Sequence, residues 1–221
     1  MRQGQEMESF RNADGKPVVL HMIETIKENA QDLSDIDGKI GDGDHGVNMN
    51  KGFTMCGERL ASSSAGLSES LKVLGRVLLA EIGGSMGPLY GTFFNEMAKA
   101  SKDAEVIDAE LFAQMLDKAL AGVVALGSAK VGDKTMLDAL VPADTAFKES
   151  INGGASFAEA LSTMALAAER GKESTRDLVA KVGRSARLGE RSRGVLDAGA
   201  TSCALLLGSM ASSMSELLSK A

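Results

Sequence analysis

Asp37, Asp42 and Asp44 form the pattern D-x4-D-x-D, set in the stretch Ile40-Gly-Asp-Gly-Asp-His-Gly-Val-Asn-Met-Asn-Lys-Gly-Phe53. Three carboxylates this close repel one another, and a shared divalent cation relieves the repulsion. An all-oxygen donor set suits Mg2+ or Ca2+. Asp32, Asp35 and Asp37 also crowd what reads as a helix C-terminus, where negative charge is disfavoured. His45 and Asn48 follow at the start of the next helical stretch, where backbone N–H groups can meet an anion. A chain that fixes Mg2+ in this way can hold a nucleotide by its phosphates without a glycine-rich phosphate loop. The competing reading is a solvated acidic loop between two helices.

Two other regions carry potential chemistry. Lys181-Val-Gly-Arg-Ser-Ala-Arg-Leu-Gly-Glu-Arg-Ser-Arg193 holds Arg184, Arg187, Arg191 and Arg193, the one dense basic stretch. Guanidinium forks bind two phosphate oxygens at once, although a surface loop balanced by Glu190 reads equally well. Gly132-Asp-Lys-Thr-Met136 is a charged turn before a helix and by itself implies only a helix start. Several spellings are decoys. Gly41-Asp-Gly-Asp-His-Gly46 fits G-x-G-x-x-G, but a helix precedes it and two aspartates would face the pyrophosphate. Gly83-Gly-Ser-Met-Gly87 fits G-x-S-x-G without the preceding strand that a nucleophile elbow needs. The EF-hand pattern fails, because a loop starting at Asp35 puts Ile40 at the glycine position and Gly46 at the glutamate position.

The elements that must carry these residues read as helices. With three prolines in 221 residues and abundant Ala, Leu and Met, nothing alternates as a strand. Spacings of three and four predict about eight helices, near 16–36, 46–63, 67–82, 87–101, 108–128, 134–152, 156–182 and 198–219. Ser156 and Glu159 make a capping-box pattern at the head of the seventh. Residues 1–15 read as a flexible N-terminal segment ahead of one domain, 16–221. The net charge of −6, with no long basic run, argues against a nucleic-acid partner. Cys56 and Cys203 are far apart, and with two histidines in all no zinc spacing exists. The N-terminal residues lack a signal core and no apolar run approaches the ~20 residues of a membrane span, so the chain reads as soluble and cytoplasmic, with no membrane partner.

Four segments, in order, resemble the nucleotide-binding L subunit of bacterial dihydroxyacetone kinase, the DhaL type. They are Ile40-GDGDHGVNMNKGF, Gly83-GSMGPLYGTFF, Gly132-DKTMLDAL and Gly183-RSARLGERSRGVLDAGATS. The resemblance runs from about residue 16 to the C-terminus. It implies an all-α, single-domain barrel of about eight antiparallel helices. It implies that Asp37, Asp42 and Asp44 hold two Mg2+ ions that grip the phosphates of ADP or ATP. By position, the nucleotide contacts fall on His45, Gly46, Val47 and Asn48, on Ser85 and Met86, on Gly127 and Met136, on Arg184, and on Asp197, Ala198 and Gly199. The catalytic set is then Asp37, Asp42, Asp44 and Arg184.

The resemblance further implies a kinase subunit active only with its partner: a K subunit holds dihydroxyacetone and this chain presents the nucleotide. The Leu188–Ser192 stretch looks more like the phosphotransferase-system type, in which bound ADP is rephosphorylated by a phosphocarrier subunit. Two departures stand out. Ala198 replaces the usual proline of a D-P-G turn, which leaves the turn less preorganised, and Met86 stands where Ser is common. Two further readings stay open at the level of sequence: an ATP-dependent kinase subunit for another small ketose such as a tetrulose, and a nucleotide-bound regulatory protein that docks on a transcriptional regulator.

Overall fold

The computed structural model describes residues 8–220. Within them lie eight α-helices: α1 (Lys16–Ile40), α2 (His45–Leu60), α3 (Leu67–Glu81), α4 (Met86–Ser101), α5 (Ala109–Ala125), α6 (Leu137–Asn152), α7 (Phe157–Ser174) and α8 (Ala198–Leu218). The apolar stripes explain the packing. On α1, Val19, Met22, Ile23, Ile26 and Leu33 recur every three, four or seven residues and all are buried. Each helix packs on the next, and α8 packs on α1, which closes the ring. The short connections, such as those of α1–α2, α3–α4 and α6–α7, make the helices they join antiparallel. The expected all-α barrel is therefore the observed architecture.

The interior is one continuous hydrophobic cluster. Its aromatic part falls into two groups, Phe53–Phe94–Phe93 and Phe112–Phe147–Phe157, with ring centroids 5.1–6.1 Å apart. Small residues allow the helices to approach. A Cβ at Gly75 of α3 would lie 2.9 Å from the backbone N of Asn95 on α4.

Several boundaries differ from the sequence-based expectation. α1 continues to Ile40, so Asp37 sits in its last turn. α7 ends at Ser174 rather than near 182. There Ser174 Oγ and Thr175 Oγ1 donate to the carbonyls of Gly171 and Lys172, and Lys134 Nζ takes the carbonyls of Thr175 and Leu178. Such competing bonds break a helical ladder. Two strands also occur, β1 (Ser9–Arg11) and β2 (Val106–Asp108), paired antiparallel with Phe10 opposite Ile107. Part of the segment expected to be flexible over 1–15 carries β1, with Phe10 and Ile107 buried against the core and Asn12 tied to three neighbours. Residues 1–7 lie outside the described residues.

An up-and-down ring sends alternate connections to opposite ends. The α1–α2, α3–α4, α5–α6 and α7–α8 connections all meet at one end, and that end holds the acidic pattern.

Candidate functional site

A cleft of about 550 Å³ opens at this end, lined by all four of those connections. The volume is in the range of small-ligand sites. On one side stand Asp37, Asp42 and Asp44, with one carboxylate oxygen of each within 4.8 Å of the others. Asp37 comes from the last turn of α1, and Asp42 and Asp44 from the four-residue connection to α2. The tight return is possible because α2 starts directly against α1: a Cβ at Gly46 would stand 1.8 Å from the Ala30 carbonyl oxygen. Asp42 and Asp44 are exposed and Asp37 half-buried. Their visible compensation is small. Arg184 forms an ion pair with Asp42, and the His45 backbone N–H donates to Asp37 Oδ2 at 3.4 Å. Three hard oxygen donors this close, on a short rigid turn, fit a divalent cation such as Mg2+.

The opposite wall is apolar, with Met86, Leu89, Val123, Leu126 and Met136. Between the two walls runs a buried hydrogen-bonded chain. His45 Nε2 lies 2.9 Å from Ser202 Oγ, and Ser202 Oγ lies 2.6 Å from Tyr90 Oη. Both hydroxyls also reach the Gly199 carbonyl, at 3.1 and 3.2 Å. Burial pushes His45 down to about 4, against the opposing field of Asp37. Asp197 caps α8, its Oδ2 accepting from Ala200 N at 2.7 Å. Burial pushes Asp197 up to about 7; the Ala200 N–H opposes this, Asp138 adds to it, and Lys134 opposes it.

Most of the residues singled out from sequence converge here. Asp37, Asp42, Asp44, His45, Asn48, Ser85, Met86, Gly127, Met136, Arg184, Asp197, Ala198 and Gly199 all line the cleft. Gly46 and Val47 do not. Gly46 is buried in the α1–α2 contact, and Val47 faces outward at 64% exposure. Three residues of the quoted segments that were not singled out as site residues also border the site: Tyr90 and Lys134 line it, and Ser202 stands behind His45. Tyr90 carries one signal in the sequence, as the chain's single tyrosine. Ser202 carries none.

The arrangement joins an acidic cluster spaced to hold a cation, an arginine and an apolar platform. Those are the parts needed to hold a polyanion through a metal and to pack a flat apolar group beside it.

Comparison with known proteins gives the family. Residues 39–212 match the family model described as the DAK2 domain. The chain is 39% identical over 188 residues to "PEP-dependent dihydroxyacetone kinase 1, ADP-binding subunit DhaL" of Listeria innocua, covering 85% of this chain and 89% of that one. It is 39% identical over 180 residues to the corresponding ADP-binding subunit DhaL of Escherichia coli, covering 81% and 86%. In structure it is similar to the dihydroxyacetone kinase from C. freundii solved in complex with AMP-PNP and Mg2+. That likeness has a TM-score of 0.67 at 23% identity and covers 96% of this chain and 36% of that one. The matched family model and the extent of the two alignments agree: this chain belongs to the DAK2-domain family and, within it, to the DhaL type.

Proposed function

We propose that this protein binds a Mg2+–adenine nucleotide in the cleft and serves as the phosphoryl-transfer subunit of dihydroxyacetone kinase. The acceptor, dihydroxyacetone, is held by a separate K subunit. The observation that carries the reading is the convergence of Asp37, Asp42 and Asp44 within 4.8 Å, facing an apolar wall, with Arg184 beside them. The names of the two L-subunit relatives support ADP as the nucleotide and PEP as the ultimate phosphoryl source. ADP then stays bound, and a phosphotransferase-system carrier rephosphorylates it. The compartment is the cytoplasm, where such a carrier works; no described helix is long and apolar enough to cross a membrane.

In this reading the three carboxylates share two Mg2+ ions, which when bound neutralise the phosphates and align them for transfer. Arg184 adds positive charge beside the phosphates. Met86, Leu89 and Met136 offer an apolar face to the base. Asp197, Ala198 and Gly199 close the site at the head of α8. The cleft supplies positioning and electrostatics, which is most of what phosphoryl transfer requires. Its one histidine has Nε2 engaged by Ser202, so the base that takes the acceptor proton comes from the partner.

Two measurements test this. Calorimetry should find Mg–ADP binding that Asp42→Asn sharply weakens, with the helical CD spectrum retained; unchanged affinity would sink the metal–nucleotide site. The purified chain should not phosphorylate dihydroxyacetone alone. Adding the K subunit and a PEP-charged carrier should start turnover with ADP in catalytic amount. If ATP replaces the carrier with equal efficiency, the ATP-dependent reading wins. Robust phosphorylation by this chain alone would overturn the division of labour.

A further inference from the structure

Lys134 is a buried cation that the proposed site does not use. It is 1% exposed and the one non-glycine among the described residues with positive φ, at 65°. A side chain held in the left-handed region is strained, so the surrounding structure must over-determine it. What holds it is visible. The three ammonium N–H groups have three acceptors: the carbonyls of Thr175 at 2.6 Å, Leu178 at 3.3 Å, and Val195.

Those carbonyls lie on both stems of one excursion of the chain, the arm 178–194 between α7 and α8. The stems are also joined to each other. Gly194 N donates to the Arg176 carbonyl at 2.8 Å, Ala180 N to Ser192 Oγ at 2.9 Å, and Asp197 N to Thr175 Oγ1 at 2.9 Å. The turn that carries Lys134 grips the arm once more, through Lys181 N to the Asp133 carbonyl at 3.1 Å and Lys181 Nζ to Asp133 Oδ1 at 3.4 Å. The turn itself is fixed by Asp138, which accepts from Gly132 N at 2.6 Å and Thr135 N at 2.7 Å. Arg184, which meets Asp42, stands on this arm. Met136 follows two residues after Lys134 in the turn.

We infer that Lys134 is a positioning residue: it pins the base of the 178–194 arm to the α5–α6 turn and thereby sets where Arg184 meets the phosphates. The inference rests on the nucleotide-binding reading above. Lys134 acts through Arg184 rather than by touching the ligand, so its loss should damage phosphate recognition and spare recognition of the nucleoside.

The test compares the unaltered protein with Lys134→Met, Arg184→Ala and the double variant. Calorimetry measures Mg–ADP and adenosine, and trypsin probes the arm at Arg187 and Arg191. Lys134→Met should weaken Mg–ADP by ~10- to 100-fold, the size expected when a charged hydrogen-bonded anchor is lost. Adenosine should stay within about twofold, and the double variant should bind Mg–ADP no worse than the weaker single, because residues acting as one unit are not additive. Cleavage in the arm should speed up with the helical CD unchanged. Mg–ADP affinity within twofold of the unaltered protein, an equal loss for adenosine, or full additivity with Arg184→Ala would each overturn the inference. Should Lys134→Met not fold, Lys134→Gln, which keeps two donors, should give a smaller loss in the same direction, and no loss overturns the inference. If the unaltered protein does not bind Mg–ADP, the nucleotide reading fails. The pinning role then stands or falls on arm cleavage alone, faster in the variant or unchanged.

Discussion

The two ends of the barrel are built from the same kind of part, connections between neighbouring helices, and they treat polar groups in opposite ways. At the end away from the cleft, a cluster of polar groups satisfies itself. Asn12 Nδ2 reaches Ser68 Oγ at 2.7 Å and the carbonyls of Ser101 and Ala104 at 3.0 and 2.9 Å, while its Oδ1 accepts from Ser68 N at 3.0 Å. Lys16 Nζ closes the C-terminus of α2 through the carbonyls of Leu60 and Ser63, both at 2.6 Å. Asp108 caps α5, and Ser156 with Glu159 forms a full capping box on α7. At the cleft end, three carboxylates face one another with one arginine and one long backbone contact between them. One end stabilises the fold. The other holds unbalanced charge that a bound cation and its polyanion can satisfy. Within the cleft end, Lys134 is the exception: its bonds resemble those of the far end, and it braces the loops that carry the site.

The contrast predicts that substitutions at the two ends separate binding from stability. The largest effect belongs to Asp42→Asn, which should weaken Mg–ADP by on the order of 100-fold, about 2.7 kcal/mol. Without ligand its melting temperature should hold or rise slightly, because one repelling charge is gone. The unaltered protein at 100 times its dissociation constant for Mg–ADP should gain ~2.7 kcal/mol of stability, and Asp42→Asn should forfeit that gain. Calorimetry and thermal melts read both. A fall in ligand-free stability as large as the loss of binding would erase the distinction between the ends.

A second prediction concerns pH. Burial pushes the native Asp197 carboxyl up to about 7, from the ordinary carboxylate value of 3.8. The native state therefore holds a proton that the unfolded chain releases, so stability falls as pH rises from about 4 through 7. Asp197→Asn keeps an acceptor for the α8 cap and should flatten this slope. Without metal or nucleotide at pH 8, it should be more stable than the unaltered protein. Denaturant melts across that range check the sign; a parallel slope in both proteins would show that Asp197 ionises freely.

At the far end the effects should fall on stability alone. Asn12→Ala removes a half-buried side chain's bonds to three neighbours and should cost roughly 2 kcal/mol, lowering the melting temperature by about 4–8 °C. Mg–ADP affinity should stay within twofold, and a larger change would mean that the ends communicate. The smallest effect is Ser156→Ala, which loses the cap of α7 for about 1 kcal/mol, read by the same melts and again without effect on binding.

Much of the fold and of the acidic site is legible in the residues themselves. Helical periodicity is a local property, so the positions of α1 to α8 and the Ser156–Glu159 box can be read directly. The acidic cluster is legible because its three members lie on one short turn, where sequence spacing nearly is spatial distance. The two strands are not, since three residues each are too few to display alternation. The early end of α7 is hidden for another reason: residues 175–182 carry no strong helix breaker before Gly183, and the bonds that stop the helix come from Lys134, about forty residues away in the chain.

What the sequence determined by itself is the helical content, the direction in which each helix buries its stripe, and the local chemistry of the aspartate turn. Those follow from neighbours along the chain. Only the tertiary structure decided that the aspartates, the 178–194 arm and the apolar wall share one cleft, that Gly46 and Val47 lie off it, and that Tyr90, Ser202 and Lys134 belong to it or brace it. A serine or lysine looks the same in sequence whether it faces water or a buried carbonyl. Its partner is chosen by the closing of the ring, which brings α1 against α8 and all four cleft-end connections together.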